Sequence, residues 1–123
     1  MTRCATAVEV DQVLKGFLEL PVDWNSYDAI PPCKYAALRA KIMWHALVCV
    51  GFKPKEISLG ADVNGGVAVN VGNLAKRHAW FSFDNDGDMH VVLSDKGTLY
   101  AECFDVTDYV GNAKQAKEFI AAG

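Results

Sequence analysis

Residues 84–95 read DNDGDMHVVLSD. Asp84, Asp86 and Asp88 alternate, and Asp95 falls at the twelfth position, so the stretch has the outline of a calcium loop. That chemistry also needs glycine at the sixth position, a bidentate glutamate at the twelfth and flanking helices. Here Met89 is sixth, an aspartate is twelfth, and both flanks alternate like strands. Asn85-Asp86-Gly87 is good hairpin-turn chemistry, so the expectation is a turn and no metal.

Other reactive types are scattered. His45 and Cys49 stand four apart on a helical stretch, a spacing that can present two ligands to one metal, but a site needs two more. No Cys-x-x-Cys occurs, so the expectation for this pair is a half-buried histidine and an inert core cysteine. Cys33 follows Pro32 near a helix start, the one cysteine position with a physical route to reactivity. Its nearest helical histidine, His45, lies three turns on and out of reach. No nucleophile with an orienting base is visible, so no catalytic residue and no cofactor is expected. Lys76, Arg77 and His78 form a short basic loop that reads as a solvated face. Trp80, Tyr100 and Phe104 can share a sheet face, but they lack the basic surround that RNA recognition requires.

That leaves the segment 21–32, PVDWNSYDAIPP. Pro21, Pro31 and Pro32 rule out a regular helix and stiffen the connection. Two roles fit its aromatics. In the first, Trp24 and Tyr27 pack beneath the segment as a clasp, while Asp23 and Asn25 bond local backbone. In the second, Trp24, Asn25, Tyr27 and Asp28 form an exposed binding patch for a partner. The clasp is the first expectation, and these four are the candidate binding residues.

The elements that must position these groups follow from periodicity. Thr6 and Glu9 have capping-box spacing, and Val10, Val13, Leu14, Phe17 and Leu18 recur at helical intervals, which predicts a helix over 7–19 ended by Pro21. A second helix starts near Pro32 and stops at Gly51, with Pro54 beyond. Leu38, Ile42, Ala46 and Cys49 share one face of it, extended by Met43, Leu47 and Val50. Its second half is apolar nearly all round, which predicts burial on most sides. From Pro54 the period becomes two. ISLGADV, VAVNV, HAWFSFD, MHVVLS and TLYAECFDV are strand candidates, with turns at Asn64-Gly65-Gly66, Asn85-Asp86-Gly87 and Asp95-Lys96-Gly97-Thr98. Asn112 is placed as the cap of a last helix over 113–122. The expectation is one α+β domain over residues 1–123: an antiparallel four- to five-stranded meander covered by two N-terminal helices, with a short C-terminal helix.

Composition narrows the function classes. At 123 residues and 51% hydrophobic, the chain can bury a core without metal or disulfides. A net charge of −3 with interspersed signs argues against nucleic-acid and anionic-membrane partners. The longest apolar run, Ile42–Val50, is far below the roughly 20 residues of a membrane span. The start, MTRCATAVEV, lacks the apolar region of a signal peptide, so a cytoplasmic protein with four reduced cysteines is expected.

LPVDWNSYDAIPP, the GGVAVNV strand and the aromatic strand ending in DNDGD together resemble a group of small uncharacterised bacterial and phage proteins. Those carry Trp-Asp/Asn-Gly/Ser-Tyr-Gly/Asp-Ala-x-Pro after a first helix, then a Gly-Gly-Val strand, then a strand and an Asp-Gly turn. The resemblance covers residues 18–95, and Asp28 stands where the group more often has glycine. It implies an architecture and a phage or mobile-element origin, and no mechanism. The functional expectation is a non-catalytic accessory or regulatory protein that binds another protein. The competing class is a small-molecule binder or small enzyme with a pocket between the sheet and the second helix.

Overall fold

The computed structural model describes residues 2–21, 24, 29–73, 75–103 and 108–123; the side chains at 2, 3 and 100–103 are not described. The architecture is α+β. Six strands form an antiparallel meander in the order β1-β2-β3-β4-β5-β6. They are β1 Thr2–Cys4, β2 Ile57–Ala61, β3 Gly66–Gly72, β4 Arg77–Asp84, β5 Met89–Asp95 and β6 Thr98–Cys103. The helices are α1 Val10–Leu18, α2 Lys34–Cys49 and α3 Tyr109–Ala121. β1 was not foreseen. It is an edge strand that pairs Thr2 with Gly60 and Cys4 with Ser58.

Alternation fixes the two faces of the sheet. Leu59 pairs with Val69, Val69 with Phe81, and Phe81 with Val91, all pointing inward and buried. The positions between them, Ser58, Asn70, Trp80 and Val92, point outward in the same register. Lys96 and Gly97 close the last hairpin with positive φ at both residues (54° and 81°), as a two-residue type I′ turn requires.

Helix ends depart from the sequence expectation where local caps compete. Thr6 does not cap α1. Its hydroxyl donates to Glu9 Oε1 at 2.7 Å, and its carbonyl accepts from the amides of Glu9 and Val10. A separate turn results, so the helix begins at Val10 rather than residue 7. α3 begins before the expected position because Asp108, not Asn112, is its cap, with Oδ1 accepting from the Gly111 amide at 2.9 Å. Asn112 lies inside the first turn and donates to the Asp108 carbonyl. Gly51 does end α2 as expected. With φ of 114° it lets its own amide reach Val48 O and that of Phe52 reach Leu47 O, the Schellman pair.

α2 buries Met43, Ala46 and Leu47 of the expected face, but the rest of its buried side is rotated away from Leu38, Ile42 and Cys49. Ala36, Ala37, Ala40, Met43, Trp44, Ala46 and Leu47 are buried, while Leu38, Ile42 and Cys49 are exposed. The alanines let the helix approach the sheet closely, and Trp44 fills the remaining depth. Because both sides of the helix are apolar, hydrophobicity alone does not choose between them.

The chain ahead of α2 is held by the β4–β5 turn. Asn85 Oδ1 accepts from the Cys33 amide at 2.8 Å, and Asn85 Nδ2 donates to Pro31 O at 2.9 Å. The Asn85 amide in turn donates to Gly65 O, and the Ile30 amide to Val63 O. Residues 30–33 are thereby pinned between the β2–β3 and β4–β5 turns. Arg39 adds a second tether, with Nη1 donating to Gly87 O at 2.6 Å and Nε to the Tyr109 hydroxyl at 3.1 Å. We predict that Asn85→Ala lowers stability by about 1–3 kcal/mol, because a half-buried donor and acceptor both lose their partner. A urea titration reads this as a lower midpoint at unchanged slope.

Candidate functional site

Of the four residues proposed from sequence, Trp24 is described. It is half-buried, and its indole N–H donates to Ile30 O at 3.2 Å. Ile30 is itself bridged to Asn64, so Trp24 is tied to the pinned segment. Asn25, Tyr27 and Asp28 lie outside the described residues.

The other chemical candidates are dispersed. His45 and Cys49 are exposed, a correction to the half-buried histidine and core cysteine expected for this pair, and follow from the turned face of α2. Their helical spacing brings no further ligand near them among the described residues. His45 packs edge-on against Trp44, with ring centroids 5.0 Å apart. The Cys33 thiol is half-buried and directed at Asn85 O, 3.7 Å away. Cys4, Cys33 and Cys49 are free thiols. Arg77 is engaged with the Phe119 carbonyl at 2.8 Å, the Phe119 ring and Asp95. His78 sits on the outer sheet face, where burial lowers its pKa. Lys76, Arg77 and His78 thus serve different surroundings. Trp80 is exposed on the outer face; the side chains of Tyr100 and Phe104 are not described.

Asp84, Asp86 and Asp88 bring carboxylate oxygens within 4.8 Å of one another. Asp95 is at the far end of β5, paired with Arg77, and takes no part. The turn chemistry is visible: Asp86 Oδ1 accepts from the Asp88 amide, and Gly87 has φ of 97°. Burial raises the Asp84 pKa, opposed by the Ser82 hydroxyl and reinforced by the charges of Asp62 and Asp86.

The exposed side of α2 is a surface that the sequence reading missed. Tyr35, Leu38, Ile42, His45 and Cys49 recur at steps of three and four, so they lie in one row along the helix. Leu38 is 54% exposed and Ile42 41%. Val110 of α3, 44% exposed, flanks the row. Between the helices runs a shallow groove of about 470 Å³, lined by Ile42, His45, Ala46, Cys49, Asp108, Tyr109 and Val110. A second hollow of about 530 Å³ continues it past Cys49 to Lys114, Lys117 and Ala121. Lys34 and Lys41 border the row on α2, with Lys41 paired to Asp11 at 2.8 Å. The signal was present in the sequence as an apolar second half of the helix, but it was read as burial. Beneath α2, Met43, Trp44 and Leu47 join Val67, Val69 and Phe81 in one core cluster, where the competing class would place its pocket.

No family model matches this chain, and neither the curated proteins nor the solved structures contain a match to it. The resemblance over residues 18–95 rests on its quoted motifs alone. Among the described residues, no helix is long and apolar enough to cross a membrane.

Two predictions follow from these surroundings. Trp24→Phe keeps a ring but loses the bond to Ile30 O, and the denaturation midpoint should fall by the equivalent of about 1 kcal/mol. A raised folded-state pKa means that ionised Asp84 works against the fold at neutral pH, and that this penalty is relieved as pH falls through its folded value. Asp84→Asn should therefore melt no lower than wild type at pH 7. Any gain should shrink on acidification, as calorimetry at several pH values would register.

Proposed function

We propose that this protein is a non-catalytic accessory or regulatory factor that acts by binding another protein, and that an amphipathic helix of the partner lies along α2. The observation that supports this reading is the row Tyr35, Leu38, Ile42, His45 and Cys49, whose large members stand in solvent beside Val110. Single exposed apolar residues are ordinary, whereas a contiguous row of them on one helix is the pattern used for helix-in-groove recognition. Fully burying Leu38 or Ile42 would contribute about 1.5–3 kcal/mol each. Lys34, Lys41, Lys114 and Lys117 outnumber Asp108 and Glu118 along the edges, which favours a partner helix with acidic flanks.

The test is a comparison of variants. Leu38→Glu and Ile42→Glu change exposed positions, so each should keep its denaturation midpoint within about 0.5 kcal/mol of wild type. Immobilised as bait in an extract of the native host, wild type should retain a defined partner that both variants lose. A retained set identical for wild type and variants would defeat the reading. Concentration-dependent dimerisation, abolished by Ile42→Glu, would replace the foreign partner with a second copy of the chain.

A further inference from the structure

Among the described residues no helix covers the outer face of the sheet, which forms a trough. Its floor is low because Gly60 and Ala68 pair with one another across β2 and β3, with Ser58 beside them. Trp80 rises next to this floor, opposite Asn70. The hollow holds about 970 Å³. A second hollow of about 470 Å³ adjoins it, sharing Asp62, Asn64 and Trp80, and reaches Asp84 and Asp86 at the β4–β5 turn. From His78 to Asp84 the trough follows β4 for about 20 Å, at roughly 3.3 Å per residue.

Its charge is polarised from end to end. Apart from histidines, the titratable side chains among the described residues lining the two hollows are Glu56, Asp62, Asp84 and Asp86, with no lysine or arginine. At the opposite end a third hollow shares Glu56, Ser58, Gly72 and Asn73 with the trough and carries Lys55, Lys76 and Arg77. The negative charge is therefore concentrated where Asp62, Asp84 and Asp86 meet, one end of the trough, with an exposed indole midway.

We propose that this trough binds an extended peptide segment of a partner protein that carries arginine or lysine, with a cationic side chain between Trp80 and the Asp62–Asp84 end. An indole attracts a guanidinium or ammonium through its ring quadrupole, and the carboxylates supply its counter-charge. The length of the trough accepts about six residues of extended chain. Asn64, Asn70 and Ser58 offer hydrogen bonds to its backbone. The raised Asp84 pKa, due to burial and then in part to Asp62 and Asp86, is of the kind that a bound cation relieves. Phosphate-bearing ligands meet repulsion here. This site is separate from α2, so it stands or falls independently of the helix-docking reading.

The test is fluorescence anisotropy with fluorescein-labelled hexa-arginine at low and moderate salt, with labelled hexa-glutamate for comparison. Wild type should bind hexa-arginine and not hexa-glutamate. Trp80→Ala should weaken binding about tenfold, the scale of one desolvated cation–π contact, and Trp80→Phe by less because a ring remains. Asp62→Asn should weaken binding, while Asp11→Asn, the same charge change on α1, should not. Melting temperatures establish that each variant is folded, and Trp80→Phe carries the aromatic arm if Trp80→Ala is not. Absence of binding would overturn the proposal, as would equal losses for Asp62→Asn and Asp11→Asn. So would displacement of the peptide by millimolar calcium together with indifference to Trp80, the behaviour of a metal-binding turn.

Discussion

The amide of Asn85 is the constraint on which the rest of the arrangement depends. It belongs to the β4–β5 turn, yet it satisfies both the carbonyl of Pro31 and the amide of Cys33 immediately ahead of α2. A carboxamide holds its acceptor oxygen and donor nitrogen a fixed distance apart, so it can bridge two backbone groups at once. Its effect is to set where α2 begins. With Arg39 bound to Gly87 O one turn further along, the rotation of α2 is also fixed. The alanine and tryptophan side then faces the sheet, and the Leu38–Ile42 side faces solvent. The same turn carries Asp84 and Asp86 to the end of the outer trough. Both candidate surfaces thus have their geometry set by one hairpin turn.

The core beneath α2 tolerates a local cost. Trp44 is 1% exposed, and its indole N–H has no hydrogen-bond partner among the described residues. An unsatisfied buried donor costs about 1–3 kcal/mol. A tryptophan ring buries about 150–250 Å², which at about 25 cal/mol per Å² contributes roughly 4–6 kcal/mol. Burial outweighs the missing bond, so the ring remains in the core. The three small residues Ala36, Ala37 and Ala40 make room for this by bringing the helix close to the sheet.

The sheet was legible because its information is local. Val67, Val69 and Val71 alternate with Ala68 and Asn70, and Lys96-Gly97 has the types a two-residue turn needs, so faces and connections follow from neighbours in sequence. Helix starts were less legible than helix ends because local polar groups decide them: Thr6 spent its hydroxyl on Glu9, and Asp108 capped α3 ahead of Asn112. The buried side of α2 was hidden for a different reason. Its apolar residues encircle the helix, and the choice between sides is made by tethers from residues 85 and 87, which no helical periodicity contains. The same long-range origin explains why Asn85 read only as a turn residue and why the exposed row on α2 read as core. Trp24 is half-buried and bonds Ile30 O, while the packing with Tyr27 that the clasp requires lies outside the described residues.

Hydrogen exchange at single amides tests the Asn85 clamp most directly. The first amides of a helix have no intrahelical acceptor, so Lys34 and Tyr35 provide the internal reference for an unheld helix start. The account predicts that the Cys33 amide exchanges far more slowly than those two, and that Asn85→Ala brings it to their rate. A Cys33 amide that already exchanges as fast as Lys34 and Tyr35 in the wild-type protein would contradict it.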